Sequence, residues 1–341
     1  MDLETAQGVK RELQTFLDSE SVSSRGVRIG LGIAPASRPG QYNIAVRARS
    51  DDILPRDIVE TLRVKTAHEI DVRVTGTIKV RLPAVIDTPQ PFPTFMFLPP
   101  RPAGFADILV RGSGGSGGDR LTIGASVGHY RTSAGTLGFF ARRRADGAVG
   151  IVSNNHVLAA EDRGIDRDDV LHPAPADRGQ RPKNVVATLC GTYPRLKGGG
   201  AAVDCAFAVL RREVTYDPSA LHMGQTLGSV LSPAEGQGEV SKIGRTTLRT
   251  HGRITAFELD SVDVDYSFGP LRFGAQIEIE SSSRLPFSRP GDSGSLIFGP
   301  EGHALGLLFA MSAIGGTLST GLSYAHPIGA VLDALDVTLF T

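Results

Sequence analysis

The sequence contains no tryptophan and only two cysteines, Cys190 and Cys205. One disulfide at most can form, so a bridge-stapled secreted scaffold is excluded, and a reducing, cytoplasmic setting is expected. Charge of neither sign prevails: 36 basic side chains balance 36 acidic ones. Nucleic acid and anionic membrane are therefore not expected as main partners. No apolar run reaches the roughly 20 residues needed to cross a bilayer. The opening MDLETAQGVKRELQTFLDSE lacks the basic region and apolar core of a secretory signal. The histidines other than His156 show no metal-ligand spacing, and GSGGSGGD at 112–119 lacks the Lys-Ser/Thr ending of a phosphate-binding loop. Neither a metal nor another cofactor is expected.

What is abundant is glycine, at 41 residues, and proline, at 21, in a chain that is 40% hydrophobic. That mixture suits many short strands joined by turns, with enough apolar surface for a sizeable core. The length of 341 residues fits a main domain plus a smaller one.

Leu3, Ala6, Val9, Leu13, Phe16 and Leu17 recur at helical spacing and predict a helix over 3–20. VRIGLGIA and YNIAVRAR read as strands joined at Pro39-Gly40, a short helix follows over 55–62, and EIDVRVTGTIKVRL reads as a strand or hairpin. Residues 1–85 are thus expected to form a small α+β domain. The proline-rich IDTPQPFPTFMFLPPRPAG cannot be a helix or a central strand, so 86–120 is expected to be a linker. From Leu121 onward, TLGFFAR, AVGIVS, VVATLC, CAFAVL, EVSKIG, GRITAFEL, QIEIE, SLIF and ALGLLFA alternate with turn residues. This pattern predicts an antiparallel sandwich or barrel over 121–341, closed by a C-terminal helix in PIGAVLDALDV.

Three motifs in this half carry chemistry. PGDSGS at 290–295 offers a serine in a tight glycine turn. A serine hydroxyl is a poor nucleophile without a base and an oxyanion hole. Here the N–H groups of Gly291 and Ser293 can point at one place. GIVSNNHVLA sets His156 at the end of a β-branched strand, and AVDCAFAVL sets Asp204 at the start of an apolar one. An aspartate there is disfavoured unless a donor meets it, and a histidine N–H is such a donor. Singly, each is as well explained by an ordinary turn or strand end. Together they run His, Asp, Ser, at separations of 48 and 89 residues, an order known for a nucleophilic triad.

Over 121–341 the sequence resembles the trypsin-like serine peptidases. SNNHVLA, DCAFAVL and GDSGS are similar to the histidine, aspartate and serine motifs of that family. IVSNNHVLA, VLHPAPADRG, KIGRTTLRTHGRITAF and RPGDSGSLIF are similar in content and order to the plant Narrow Leaf 1-like group and its bacterial relatives. The resemblance implies a mostly β, chymotrypsin-like double β-barrel with His156, Asp204 and Ser293 as triad and Gly291 and Ser293 as oxyanion donors. It implies a serine endopeptidase acting on a protein or peptide substrate, and it makes a homo-oligomer plausible.

Two departures matter. In digestive trypsins the aspartate before the serine pairs with an N-terminus freed by cleavage; no such site opens this domain, so Asp292 needs another partner. Phe287 stands six residues before Ser293, where trypsins carry an acidic residue. A hydrophobic or small P1 side chain is therefore expected, with Phe309 and Met311 narrowing the pocket. The acidic EDRGIDRDD loop does not match a calcium pattern. Cys205 and Cys190 are expected to be core thiols, and GRTTLRTHGRI a hairpin, a loop against the cleft or a subunit contact. A protease-fold binding or scaffold protein with latent activity is the alternative function, and an esterase a third.

Overall fold

The computed structural model describes residues 1–19, 29–50, 56–67, 69–80, 120–198, 200–221, 225–235 and 238–341. The proline-rich and glycine-rich stretches of 86–119 lie outside the described residues.

The apolar runs after Leu121 become strands in two lobes. In the first, eight strands form one curled sheet. Their order is Val337–Leu339, Phe139–Arg143, Val149–Ser153, Ala206–Leu210, Val185–Leu189, Asp169–Leu171, Ser126–His129 and Gly135–Thr136. In Val185–Leu189 alternate residues are buried, as a sheet with one face on a core requires. In the second lobe six strands close on themselves. Glu239–Gly244 pairs with Leu248–Leu259, which pairs with Gln276–Ser281, then Leu322–Pro327, Ala304–Ser312, Leu296–Phe298 and back to Glu239–Gly244. Closure removes the exposed strand edges that an open sheet must otherwise protect. The fold is thus mostly β, with one closed barrel and one curled half-barrel.

The C-terminal helix Ile328–Leu335 buries Ile328, Val331, Leu332 and Leu335 in the core of the first lobe. Asp336, at φ 51°, ends it, and Val337–Leu339 then pairs with Phe139–Arg143. The second barrel is thereby tied to the first by its own chain end.

The N-terminal helix Leu3–Asp18 starts at Asp2, whose Oδ1 accepts the Thr5 N–H at 2.8 Å. Its buried face, with Leu13 and Leu17, packs on the hairpin Ile29–Pro35/Tyr42–Ala48. Ile70–Val74 adds a parallel strand to that hairpin. Leu13, Leu31, Ile44 and Ile58 share one core cluster with Ile254, Phe257, Ile277 and Ile297 of the closed barrel. Gly30 and Gly32 permit this: a Cβ there would stand 2.8 Å from Asp260 O and 3.0 Å from Phe257 O. The stretch EIDVRVTGTIKVRL does not fold on itself as a hairpin. The chain turns at Gly76, and Ile78–Lys79 joins Val262–Tyr266 and the end of Ala304–Ser312 instead. No helix of the described residues is long and apolar enough to cross a membrane.

Candidate active site

One strand pair brings His156 and Asp204 together. Val149–Ser153 runs antiparallel to Ala206–Leu210 with Ser153 opposite Ala206. Carried past the end of the pair, that register sets Asp204 against the short helix Asn155–Leu158. His156 Nδ1 lies 2.6 Å from Asp204 Oδ2, and the His156 backbone N–H donates to Asp204 Oδ1 at 3.2 Å. Both side chains are buried. Burial pushes the Asp204 carboxyl up, but the charge and hydrogen bond of His156, with help from His326 and Tyr266, outweigh it. The carboxyl is held below its ordinary value. With Asp204 ionised, Nδ1 carries the proton and Nε2 presents its lone pair. That Nε2 is buried and makes no hydrogen bond among the described residues, so His156 and Ser293 are not hydrogen-bonded to each other.

Two residues behind Asp204 escaped the sequence reading. Tyr266 donates its hydroxyl to Asp204 Oδ2 at 2.7 Å. The alternation in VDVDY buries Val262, Val264 and Tyr266 on one face. A tyrosine on an inward face needs a polar partner, which was the available signal. His326 accepts the Asp204 backbone N–H through Nε2 at 2.9 Å and stacks on Phe309 with ring centroids 3.8 Å apart. Its burial pushes its pKa down to about 3. No local pattern announces it, because its partner lies 122 residues away.

Ser293 sits where the two lobes touch. The Gly294 N–H donates to Leu308 O at 2.8 Å, and the Thr136 N–H donates to Ser293 O at 2.8 Å. Gly294 has φ 91°, and a Cβ on it would lie 2.0 Å from Ser153 Oγ and 2.4 Å from Thr136 O. Only glycine fits that junction. On the other side, a Cβ on Gly135 would strike Val157, the neighbour of His156, at 2.4 Å. Gly291 has φ 98° and its carbonyl accepts from Thr136 Oγ1 at 2.9 Å. Among the described residues, neither the Gly291 nor the Ser293 N–H has an acceptor.

Asp292, fully buried, finds the partners that its sequence context demanded. Its Oδ1 accepts the N–H groups of Thr246 at 2.8 Å and Thr247 at 3.0 Å. Its Oδ2 accepts from Thr247 Oγ1 at 2.6 Å and the Arg289 N–H at 2.9 Å. Lys242 Nζ stands 3.4 Å from Oδ2, and both side chains are wholly inaccessible to solvent. GRTTLRTHGRI is therefore a hairpin whose turn also braces the serine loop.

The fold that carries this arrangement is mostly β, a closed six-stranded barrel beside a curled half-barrel. Its structural neighbours are trypsin- and chymotrypsin-like serine proteases. Thermobifida fusca protease A is 18% identical with a TM-score of 0.46, and the match covers 65% of this chain and 100% of that one. Nocardiopsis protease is 19% identical with a TM-score of 0.46 over 65% and 100%. A glutamic-acid-specific serine protease is 21% identical with a TM-score of 0.47 over 64% and 100%. No protein-family model matches the sequence, and no curated protein matches it either. At these identities and TM-scores the chemistry must come from this chain's own residues.

Beside Ser293 is a cavity of about 10 Å³, lined by Lys79, Ser288, Pro290, Phe309, Ala310 and Met311 among others. Phe309 and Met311 line this cavity, and Phe287 does not. Its carbonyl is pinned by Thr250 Oγ1 at 2.8 Å, and its ring turns into the barrel core. Ser288, bonded to Ser323 Oγ at 2.7 Å, lines the cavity instead. In the acidic loop, Asp162 accepts from Asn155 Nδ2, Asp166 from the Gly191 N–H, and Asp168 pairs with His129. Cys205 is buried as expected, whereas Cys190 is only half-buried and its Sγ takes a hydrogen bond from Arg143 at 3.0 Å.

Proposed function

We propose that the chain is a serine endopeptidase of the Narrow Leaf 1-like group, working through an acyl-enzyme. The observation that carries this is the 2.6 Å contact between His156 Nδ1 and ionised Asp204. It supports a lone pair on Nε2, and the Gly291 and Ser293 N–H groups have no acceptors among the described residues. His156 Nε2 takes the Ser293 hydroxyl proton as Oγ attacks the scissile carbonyl. The Gly291 and Ser293 N–H groups receive the developing oxyanion, and His156 returns the proton to the leaving amine. Water then repeats the sequence on the acyl ester. Asp204 keeps the imidazole in the right tautomer and stabilises the imidazolium. Two unpaired cysteines support a reducing, cytoplasmic location. The small cavity supports a small P1 side chain. The test is a fluorogenic peptide library with simple esters beside it. Cleavage after small residues, abolished by Ser293→Ala, is expected; ester hydrolysis alone would reject the peptidase assignment.

A second reading, latent activity, is favoured by Ile78–Lys79. An extended substrate presenting a carbonyl to Ser293 must pair with the edge of Ala304–Ser312, as peptides do when they add a strand. At Met311 and Ser312 that edge is already paired with Lys79 and Ile78. The cavity beneath has barely room for one water. Undocking this strand with Ile78→Asp should raise peptidase activity at least tenfold, and an unchanged rate would reject latency.

A further inference from the structure

A left-handed backbone is disfavoured for every residue that carries a Cβ, and a run of such residues persists only where its surroundings hold it. Just past the helix that carries His156, three successive residues adopt it: Ala160 at φ 52°, Glu161 at φ 55° and Asp162 at φ 67°. Asp162 is fastened to both sides of the His156–Asp204 contact. Its Oδ1 accepts from Asn155 Nδ2 at 2.7 Å, and its N–H donates to Asn155 Oδ1 at 3.1 Å. Asn155 is the fully buried neighbour of His156, and its Nδ2 also donates to Pro194 O at 2.9 Å. Asp162 Oδ2 accepts the Lys197 N–H at 2.7 Å, and its carbonyl accepts from Arg195 Nη1 at 3.2 Å. Pro194, Arg195 and Lys197 belong to the chain that next reaches Asp204. Beside Asp162, the buried Glu161 accepts from the N–H and the hydroxyl of Ser267. Ser267 follows Tyr266, whose own hydroxyl holds Asp204. The turn thus meets the three segments that supply His156, Asp204 and Tyr266.

We propose that Asp162 is a positioning residue for His156: its carboxylate locks Asn155 to the 194–197 chain, and this sets the 2.6 Å contact of His156 with Asp204. The left-handed turn is what brings one carboxylate between the two segments. The proposal rests on the peptidase assignment above, and the experiment separates the two. Asp162→Gly accepts the positive φ freely but deletes both side-chain oxygens. Asp162→Asn tolerates the same φ and can still accept the Lys197 N–H, but it turns an amide NH₂ toward that of Asn155. Asp166→Gly loosens the same loop by removing the acceptor of the Gly191 N–H, and leaves every bond to Asn155 and Lys197 in place. The full-length proteins are compared by two readouts. One is the downfield proton resonance of His156 Nδ1–H, assigned by its loss in His156→Ala. The other is the fluorophosphonate labelling rate.

In Asp162→Gly the resonance should move upfield or vanish with the fold retained. Labelling should slow by about 10²-fold, the effect of misplacing a reacting group by about 1 Å. Asp162→Asn should fall between this variant and wild type, and Asp166→Gly should keep both the resonance and the rate. A folded Asp162→Gly with the wild-type resonance overturns the proposal whatever the labelling shows. Equal losses in Asp166→Gly also overturn it, because general loosening of the loop would then suffice. So does a wild type without a downfield resonance that depends on His156. A wild type that does not label overturns the peptidase assignment, while the resonance still decides whether Asp162 holds His156. Should Asp162→Gly not fold, Asp162→Asn decides, and an unchanged resonance there overturns the proposal.

Discussion

Acid should destabilise this protein through His326. The imidazole is fully buried, stacked on Phe309, and its Nε2 accepts the Asp204 N–H. Its Nδ1 has no partner among the described residues. A second proton would remove the hydrogen bond to Asp204 and bury a charge. Burial opposes that charge more than Asp204 favours it, so the pKa falls to about 3 in the folded protein. An unfolded histidine titrates near about 6.5. As pH falls through that value the unfolded chain takes up the proton first, so stability is lost from there down to about pH 3. The loss is about 1.4 kcal/mol per pH unit, or roughly 5 kcal/mol over the whole window. A protein of ordinary stability has only about 5–15 kcal/mol to lose. His129 shifts in the same direction through its burial, against the pull of Asp168. The decisive quantity is therefore the difference from a variant. Urea unfolding followed by circular dichroism suits a chain without tryptophan. Between about pH 7 and 5, His326→Asn should lose stability less steeply than wild type by about 1 kcal/mol per pH unit. Equal slopes would refute the reasoning.

Tyr266→Phe removes one hydrogen bond to a buried carboxylate, worth about 1.5–3 kcal/mol, so turnover should drop about tenfold or more with the fold retained. Steady-state kinetics beside circular dichroism would show it, and wild-type turnover would count against a role for the hydroxyl. Gly244→Ala would push a methyl to 2.3 Å from Asp292 Oδ1 and should cost about 1–3 kcal/mol, together with labelling of Ser293. An unshifted melting temperature contradicts this. Arg47 pairs with Glu278 at 2.8 Å and Asp71 at 2.9 Å, and both it and Glu278 are buried. Arg47→Met strands Glu278 and should cost about 3–5 kcal/mol; adding Glu278→Leu should recover much of it. No recovery would mean that packing rather than charge is lost.

Much of the fold was legible because periodicity is local. The alternating runs after Leu121, the helix over Leu3–Asp18 and the C-terminal helix all follow from spacing alone. The pairing of Ile78–Lys79 was not legible, since nothing in that pair of residues indicates a partner strand more than 180 residues away. The same holds for the N-terminal segment. Its helix and strands have the composition of a small domain, yet Leu31 and Ile44 share their core with Ile254 and Phe257. Within the site, the histidine, aspartate and serine motifs stand out as short strings. Tyr266, His326 and Lys242 do not, because each is defined by a partner that only tertiary structure supplies. Counting along the chain sets Phe287 beside the nucleophile but not which way its ring faces; in the structure its carbonyl is bonded to Thr250 Oγ1 and its ring lies in the barrel core.

The most direct measurement is fluorophosphonate labelling of the purified full-length protein, mapped by mass spectrometry, with Ser293→Ala, His156→Ala and Asp204→Asn alongside. The account predicts one phosphonylated residue, Ser293, labelled in wild type, lost in the first two variants and slowed strongly in the third. A folded wild type that takes no label, or a label on another residue that survives His156→Ala, would contradict it.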